Sequence, residues 1–388
     1  MTKTCVAVVD IGSSNINVMI GTRGVNNTFV VLGNGDYEYA GYYEGEFLEE
    51  EKLQEVFKCA IFDAEETACE SIDKLFVGVP ADFSVCETKT LTQSYGEKVK
   101  ITKQHIEQIH SMANSMQNSS DYVLVSCSPI SYILDDGRKT LSPIGQKSTK
   151  IIATLSLVYA EKKFIEKINN LLRNIGISTV EYLSGPLCEA TYLLPAERRE
   201  EVALVIDCGY ITTSVALVQG DGLVALRTFA VGGAHIVADL SECLGISYRE
   251  AQNLKKQIIL SVKPTEADEY EILRKDNVLK IQMLQANEIV CARLDYIASL
   301  INKCLEGLRQ EYPKMPYSIT GGGISYIKGA KDYISKMLGV NVTLIAPNDI
   351  HMQKPHYSSI LGLLNTALNQ DIKLSFVEKL LQKIKRKK

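Results

Sequence analysis

Asp10-Ile11-Gly12-Ser13-Ser14 and Asp207-Cys208-Gly209-Tyr210-Ile211-Thr212-Thr213 are the two stretches that decide the fold. Each follows an apolar run rich in β-formers, Cys5–Val9 and Val202–Ile206. Each then leads into another, Ile16–Ile20 and Val215–Val218. Such runs read as strands. Strand, Asp-x-Gly, hydroxyl pair, strand makes a hairpin whose backbone amides and hydroxyls can grip a phosphate. Gly12 lets the backbone come close to a phosphate oxygen, and Ser13 and Ser14 add donors. Asp10, at the strand end, is placed to hold a magnesium ion through water. Asp207 has the same place in the second turn. The plainer alternative is an ordinary hairpin with a turn aspartate. Two copies of the pattern point to two related half-molecules closing on one nucleotide.

The chain has 388 residues, room for two or more domains, and is 46% hydrophobic and 23% charged, as globular chains are. A net charge of −4 argues against a general nucleic-acid binder. The first apolar run ends at Asp10, too short for a signal peptide or a membrane span, and no later run reaches about 18 apolar residues. Ten cysteines without a Cys-x-x-Cys pair, and no export signal, read as reduced cytosolic thiols. The five histidines show no metal spacing, and His105 and His110 are expected on a helix surface.

Working outward, Phe29–Leu32 and Lys74–Pro80 read as strands and Leu48–Cys69 as a helix. Residues 82–162 change character. Their Lys/Thr/Ser-rich segments, a helix near Lys103–Asn118 and strands at Tyr122–Ser126, Ser131–Leu134 and Lys150–Val158 suggest an inserted α+β module. Lys162–Gly176 is an amphipathic helix closed by glycine. The second half repeats the plan. Gly220-Asp221-Gly222 makes a turn, Leu223–Phe229 a strand, and helical periodicity runs from about Ile236 to Ile259. Residues 261–280 read as irregular, and Asn287–Leu308 as a long helix.

Thr320-Gly321-Gly322-Gly323 follows a strand, Tyr317–Thr320, and precedes a helix expected at Lys328–Leu338. Three glycines there let a ligand lie flat on the backbone, with helix N-terminal amides nearby; a flexible turn is the alternative. At the chain end Ile372, Phe376, Leu380 and Ile384 recur every fourth residue beside Val377 and Leu381. Lys373, Lys379, Lys383, Lys385, Arg386, Lys387 and Lys388 cover the rest. A basic amphipathic helix of this kind suits an anionic membrane surface. Packing on the core with a solvated lysine tip is the other possibility.

In this order the three motifs resemble the actin/Hsp70 ATPase fold, and within it the FtsA family of bacterial cell-division actin homologues. Val77-Gly78-Val79-Pro80 and the module after it resemble that family's subdomain 1C. Val231-Gly232-Gly233-Ala234-His235-Ile236 resembles its Val-Gly-Gly-x-x-Ile segment, and Glu250–Lys255 its Glu-Ala-Glu-x-x-Lys segment. Ile289–Ile297, with Arg293, resembles the long helix of subdomain 2B, Tyr357–Leu364 the closing helix of 1A, and the basic tail the membrane-targeting helix. The resemblance implies an α/β fold of two RNase H-like halves around a nucleotide cleft. It implies subdomain 1A at residues 1–81, 163–200 and 351–370, and 1C at 82–162. It puts 2A at 201–230 and 315–350, 2B at 231–314, and the amphipathic helix at 371–388.

It also implies the ligand and partners. ATP with Mg2+ would be held by Asp10, Gly12, Ser13, Ser14 and Asn15 on one side and by Asp207, Gly209, Tyr210, Thr212 and Thr213 on the other. Gly232, Gly233, Gln252, Lys255, Gly321, Gly322 and Gly323 would lie toward the nucleoside. Phe376, Val377, Leu380, Leu381, Ile384, Lys383, Lys385, Arg386 and Lys387 would meet the membrane. The implied protein is peripheral on the cytoplasmic side of the cell membrane at the division site. It polymerises and tethers the FtsZ ring, with later division proteins contacting 1C. A pilus-assembly scaffold like PilM, and an actin-fold scaffold that no longer binds nucleotide, are the alternatives.

The chain departs from the family pattern in several places. Asn15 stands where many members have Lys, Tyr210 and Ile211 replace glycines, Ser214 replaces an Asp and Gln252 a Glu. Bulk at 210 and 211 is expected to strain a left-handed turn. Gly185 lies where hydrolysing relatives carry a water-orienting Glu, so hydrolysis is expected to be slow or absent.

Overall fold

A computed structural model describes residues 5–25, 28–114, 121–274, 277–349 and 351–370. The proposed membrane helix, residues 371–388, lies outside the described residues.

Two five-stranded sheets share one plan. In the first, Cys5–Ile11 and Asn15–Arg23 form the first hairpin, Phe29–Glu38 adds an antiparallel strand outside it, and Lys74–Val79 and Thr179–Ser184 pair in parallel on the other side. In the second, Ala203–Cys208 and Thr213–Gln219 form the second hairpin. Gly222–Phe229 lies outside it, and Tyr317–Thr320 and Val342–Leu344 follow in parallel. The repeat read from the two Asp-x-Gly turns is thus a repeat of whole sheets. Their central strands are continuous apolar runs because both faces are covered: Val8 and Val9, on opposite faces, are each 0% exposed.

One face of the first sheet packs on helices Glu50–Ala68 and Lys162–Ile175. The other carries Val6, Val8 and Met19 against a helix at residues 358–370. The second sheet packs one face on helices Gly233–Leu244, Tyr248–Gln257, Met283–Cys304 and Ala330–Leu338. Its other face meets helix Gly185–Leu193, through Leu187 and Ala190. Between the sheets, therefore, lie two helices, 185–193 and 358–370. A third sheet, Ser84–Lys100, Lys147–Glu161, Tyr122–Leu134 and Lys139–Thr140, encloses its own core with helix Lys103–Ala113.

Several expectations change in the structure. The single helical stretch at 236–259 is two helices, because Gly245 takes φ 61° and ends the first, while Ser247 and Glu250 form a capping box that starts the second. The irregular stretch 261–280 contains a hairpin, Glu269–Leu273 with Val278–Gln282, whose Tyr270, Ile272 and Ile281 point inward. Alternation with charged residues hid that strand pair. Tyr122–Leu134 is one strand rather than two. His110 is half-buried rather than a plain surface residue: its Nε2 lies 2.8 Å from the Oη of Tyr132, a member of the third core.

Candidate functional site

Parallel strands bring their carboxyl ends to one edge of a sheet, and ligands gather there in open α/β folds. Asp10 lies at the end of Cys5–Ile11, Pro80–Asp82 follow Lys74–Val79, and Gly185 follows Thr179–Ser184. From the other sheet come Asp207 and the Gly321 turn. These edges face each other across a cavity of about 210 Å³.

The two hairpin turns are built alike. Gly12 N–H donates to Asn15 O at 2.9 Å, and Gly209 N–H to Thr212 O at 2.9 Å. Tyr39 Oη donates to Gly12 O at 2.7 Å, and Asn15 Nδ2 to Asp36 Oδ1 at 2.5 Å, which fix the first turn. The tips then touch: Ile211 N–H donates to Ser13 Oγ at 3.0 Å, and Ser13 is 7% exposed. The strain expected of Tyr210 and Ile211 is absent. Among the described residues only Glu44, Glu49 and Cys69 are non-glycines with positive φ, so this turn never needed left-handed backbone.

Eleven of the expected nucleotide residues line the cavity: Asp10, Gly12, Ser13, Ser14, Asn15, Asp207, Gly209, Tyr210, Thr212, Gly321 and Gly322. The other six are not part of that lining. Thr213 is 0% exposed and its hydroxyl donates to Val231 O at 2.6 Å, so it braces the second hairpin from behind. Gly233 and Ala234 N–H groups donate to Gly209 O (2.9 Å) and Tyr210 O (2.7 Å), which turns this helix start toward the hairpin. Gly323 N–H donates to Cys208 O at 2.7 Å. A Cβ on Gly323 would lie 2.2 Å from Gly209 O, so only glycine lets these two turns nest. Gly321 takes φ 89°, the left-handed turn that glycine permits. The helix expected at Lys328–Leu338 follows, over Ala330–Leu338.

Lys255 Nζ donates to Gly233 O at 2.9 Å, and enclosure brings its pKa down to about 8. One helical turn away, Gln252 Nε2 donates to Tyr210 Oη at 3.1 Å, and Tyr210 Oη lies 2.7 Å from Tyr248 Oη. The two family departures at 210 and 252 are therefore bonded to each other.

Four carboxyl groups line the cavity: Asp10, Asp82, Glu189 and Asp207. Burial pushes Asp10 up to about 6, opposed by a hydrogen bond from Ser359 Oγ at 2.8 Å. Burial likewise raises Asp82 to about 6. Asp207 and Glu189 are raised by burial first and by neighbouring carboxylates second. No three such groups among the described residues can ligate one ion directly.

Sequence reading passed over Asp82 and Glu189. Glu189 was nonetheless marked: it is the one charged residue in the apolar helix Gly185–Leu193. A second missed group is the start of helix 358–370. Ser359 reaches Asp10, and Ser358 Oγ lies 2.8 Å from Thr320 Oγ1, so this turn touches both halves.

The family model for "Cell division protein FtsA" matches residues 204–362. Over 360 residues the chain is 23% identical to the cell division protein FtsA of Streptococcus pneumoniae, covering 92% of this chain and 78% of that one. Over 377 residues it is 24% identical to that of Enterococcus hirae, covering 95% and 84%. Among solved structures, the PilM–PilN type IV pilus biogenesis complex superposes with a TM-score of 0.63 at 16% identity, covering 95% of this chain and 99% of that one. MreB 5 of Spiroplasma citri bound to AMPPNP gives 0.56 at 14% identity, covering 98% and 99%. The MamK double helical filament gives 0.53 at 15%, covering 94% and 98%. These likenesses establish the actin-like fold. With one sheet plan used twice, hairpin tips in contact and FtsA proteins matching nearly end to end, this actin-like chain is similar to the FtsA family of cell division proteins.

Proposed function

We propose that the chain binds ATP and magnesium between its two hairpins, polymerises, and tethers an FtsZ ring to the cytoplasmic face of the cell membrane through residues 371–388. The observation that carries this reading is the pair of matched turns meeting across a cavity lined by Asp10 and Asp207. A phosphate chain entering there meets backbone amides and the hydroxyls of Ser13, Ser14 and Thr212. Magnesium keeps most of its water shell and is commonly held by one or two carboxylates plus phosphate. Four buried carboxyl groups with raised pKa values suit such an ion. Asp10 and Asp207 would hold its waters, and the ion supplies charge that offsets theirs and the phosphates'.

The FtsA relatives support the division-site role, and the MamK filament supports self-assembly as a property of the fold. Residues 82–162 would act as subdomain 1C and 231–314 as 2B, with later division proteins meeting the former and FtsZ the latter. Among the described residues no helix is long and apolar enough to cross a membrane, so the tail carries the membrane part of the proposal. Turnover is expected below about 1 per second, the low end of ordinary enzyme rates.

A second reading, a scaffold without nucleotide, draws on the Tyr210–Tyr248–Gln252 bonds and the closed tips. One set of measurements separates the readings. Magnesium-ATP at about 100 times its Kd should stabilise the chain by about 2.7 kcal/mol, seen as a higher melting temperature. Deletion of residues 371–388 should abolish co-sedimentation with anionic liposomes. No melting shift favours the bare scaffold, and unchanged sedimentation sinks the membrane claim.

A further inference from the structure

Glu189 is 4% exposed, lies in the wall of the cavity and makes no hydrogen bond among the described residues. An ionisable group enclosed without a partner costs several kcal/mol, and such groups persist where a ligand or a reaction uses them. Its position is fixed from below. Ser184 Oγ accepts from Leu187 N–H at the helix start, Pro186 sits in the first turn, and Leu187 and Ala190 anchor the helix on the second sheet. Gly185, Pro186 and Glu189 then face the cavity together, one turn of the same helix. Across from them stand the two hairpin turns, which supply the phosphate donors in the proposed reading.

We propose that Glu189 is a catalytic residue that holds and deprotonates the water attacking the terminal phosphate of a nucleoside triphosphate. This rests on the nucleotide reading above. The water oxygen forms a bond to the terminal phosphorus as the bond from that phosphorus to the bridging oxygen breaks. The water proton passes to a Glu189 carboxylate oxygen and then to solvent. The products are the nucleoside diphosphate and inorganic phosphate. Asp10, Asp82 and Asp207 are less suited. Asp10 is bonded to Ser359, Asp82 is bonded to its own backbone and to Thr212, and Asp207 belongs to the hairpin that grips phosphate. Of the two cavity carboxyl groups without a hydrogen bond among the described residues, Glu189 and Asp207, Glu189 alone stands on the helix side.

The test compares the full chain with Glu189→Gln and Glu189→Asp. Three quantities are measured: phosphate release, ATP binding, and binding of ADP with aluminium fluoride, a mimic of the transferring phosphoryl group. Positioned acid–base groups contribute about 10²–10⁴-fold to rate. Glu189→Gln should therefore lower phosphate release at least about 100-fold, and Glu189→Asp less. ATP affinity should stay within about threefold, while the preference for ADP–aluminium fluoride over ADP is lost in Glu189→Gln. A melting curve no lower than that of the parent chain shows that Glu189→Gln folds. Unchanged phosphate release, or an unchanged preference for the mimic, overturns the proposal while ATP binding stands. Failure of the parent chain to bind ATP overturns the nucleotide reading and this proposal with it.

Discussion

Asp10→Asn should flatten the pH dependence of stability in the metal-free chain. Asp10 is buried, and its pKa rises from an ordinary 3.8 to about 6. Between those values the folded chain holds a proton that the unfolded chain has released. Its contribution is therefore fully present below about pH 3.8 and is lost as pH rises through about 6. A shift of about two units corresponds to about 3 kcal/mol in all. Roughly 2 kcal/mol of it falls between pH 4.5 and 7.5. At a urea slope of about 3 kcal/mol/M the midpoint of the parent chain drops by about 0.7 M over that range, relative to Asp10→Asn. Asparagine keeps an oxygen for Ser359 Oγ to bond, so the comparison isolates the charge. The assay is urea unfolding in chelator at the two pH values, repeated with magnesium, which should restore stability at pH 7.5 in the parent chain. Parallel pH profiles for the two chains would refute the claim that enclosure raises the pKa of this carboxyl when the cleft is empty.

Gly323→Ala should destabilise by about 1–3 kcal/mol, because the added methyl would meet Gly209 O at 2.2 Å and Cys208 O at 2.6 Å. A melting temperature within one degree of the parent would mean that the two turns do not nest. Ser13→Ala leaves the Ile211 amide without its acceptor and should cost about 1–3 kcal/mol, read in urea unfolding. No loss would mean that the tips part in solution.

The architecture was legible because a buried hairpin leaves a dense local record. The runs before and after Asp10 and Asp207 are apolar on both faces, and the turns between them are short. The pairing of Lys74–Val79 with Cys5–Ile11 was not legible in the same way, since contacts between distant segments leave no periodicity. The site divides along the same line. Residues inside the Asp-x-Gly and Gly-Gly-Gly turns announced themselves by composition. Asp82 and Glu189 enter the cavity from segments whose local pattern is that of ordinary core and loop, and only the convergence of strand ends reveals them. Thr213 shows the opposite failure. In sequence it is indistinguishable from Thr212, yet strand alternation turns one hydroxyl toward the cavity and the other toward Val231. At 232 and 233 the absence of a side chain also lets one turn pack closely on another.

Helix 358–370 belongs mechanically to the first half. Ile360, Leu361, Leu364, Ala367 and Leu368 are sunk against Val6, Val8 and Met19, and Asn369 is bonded to Arg23. Its hold on the second half includes one hydroxyl pair, Ser358 with Thr320. An anchor attached beyond residue 370 would therefore join the chain on the half that carries the first hairpin. In a rotation that widens the cleft, the first half is the stator and the second half the rotor. A filament joined mainly through second-half surfaces would feel that rotation as a change of its own twist, whereas one joined through the first half would stay blind to it.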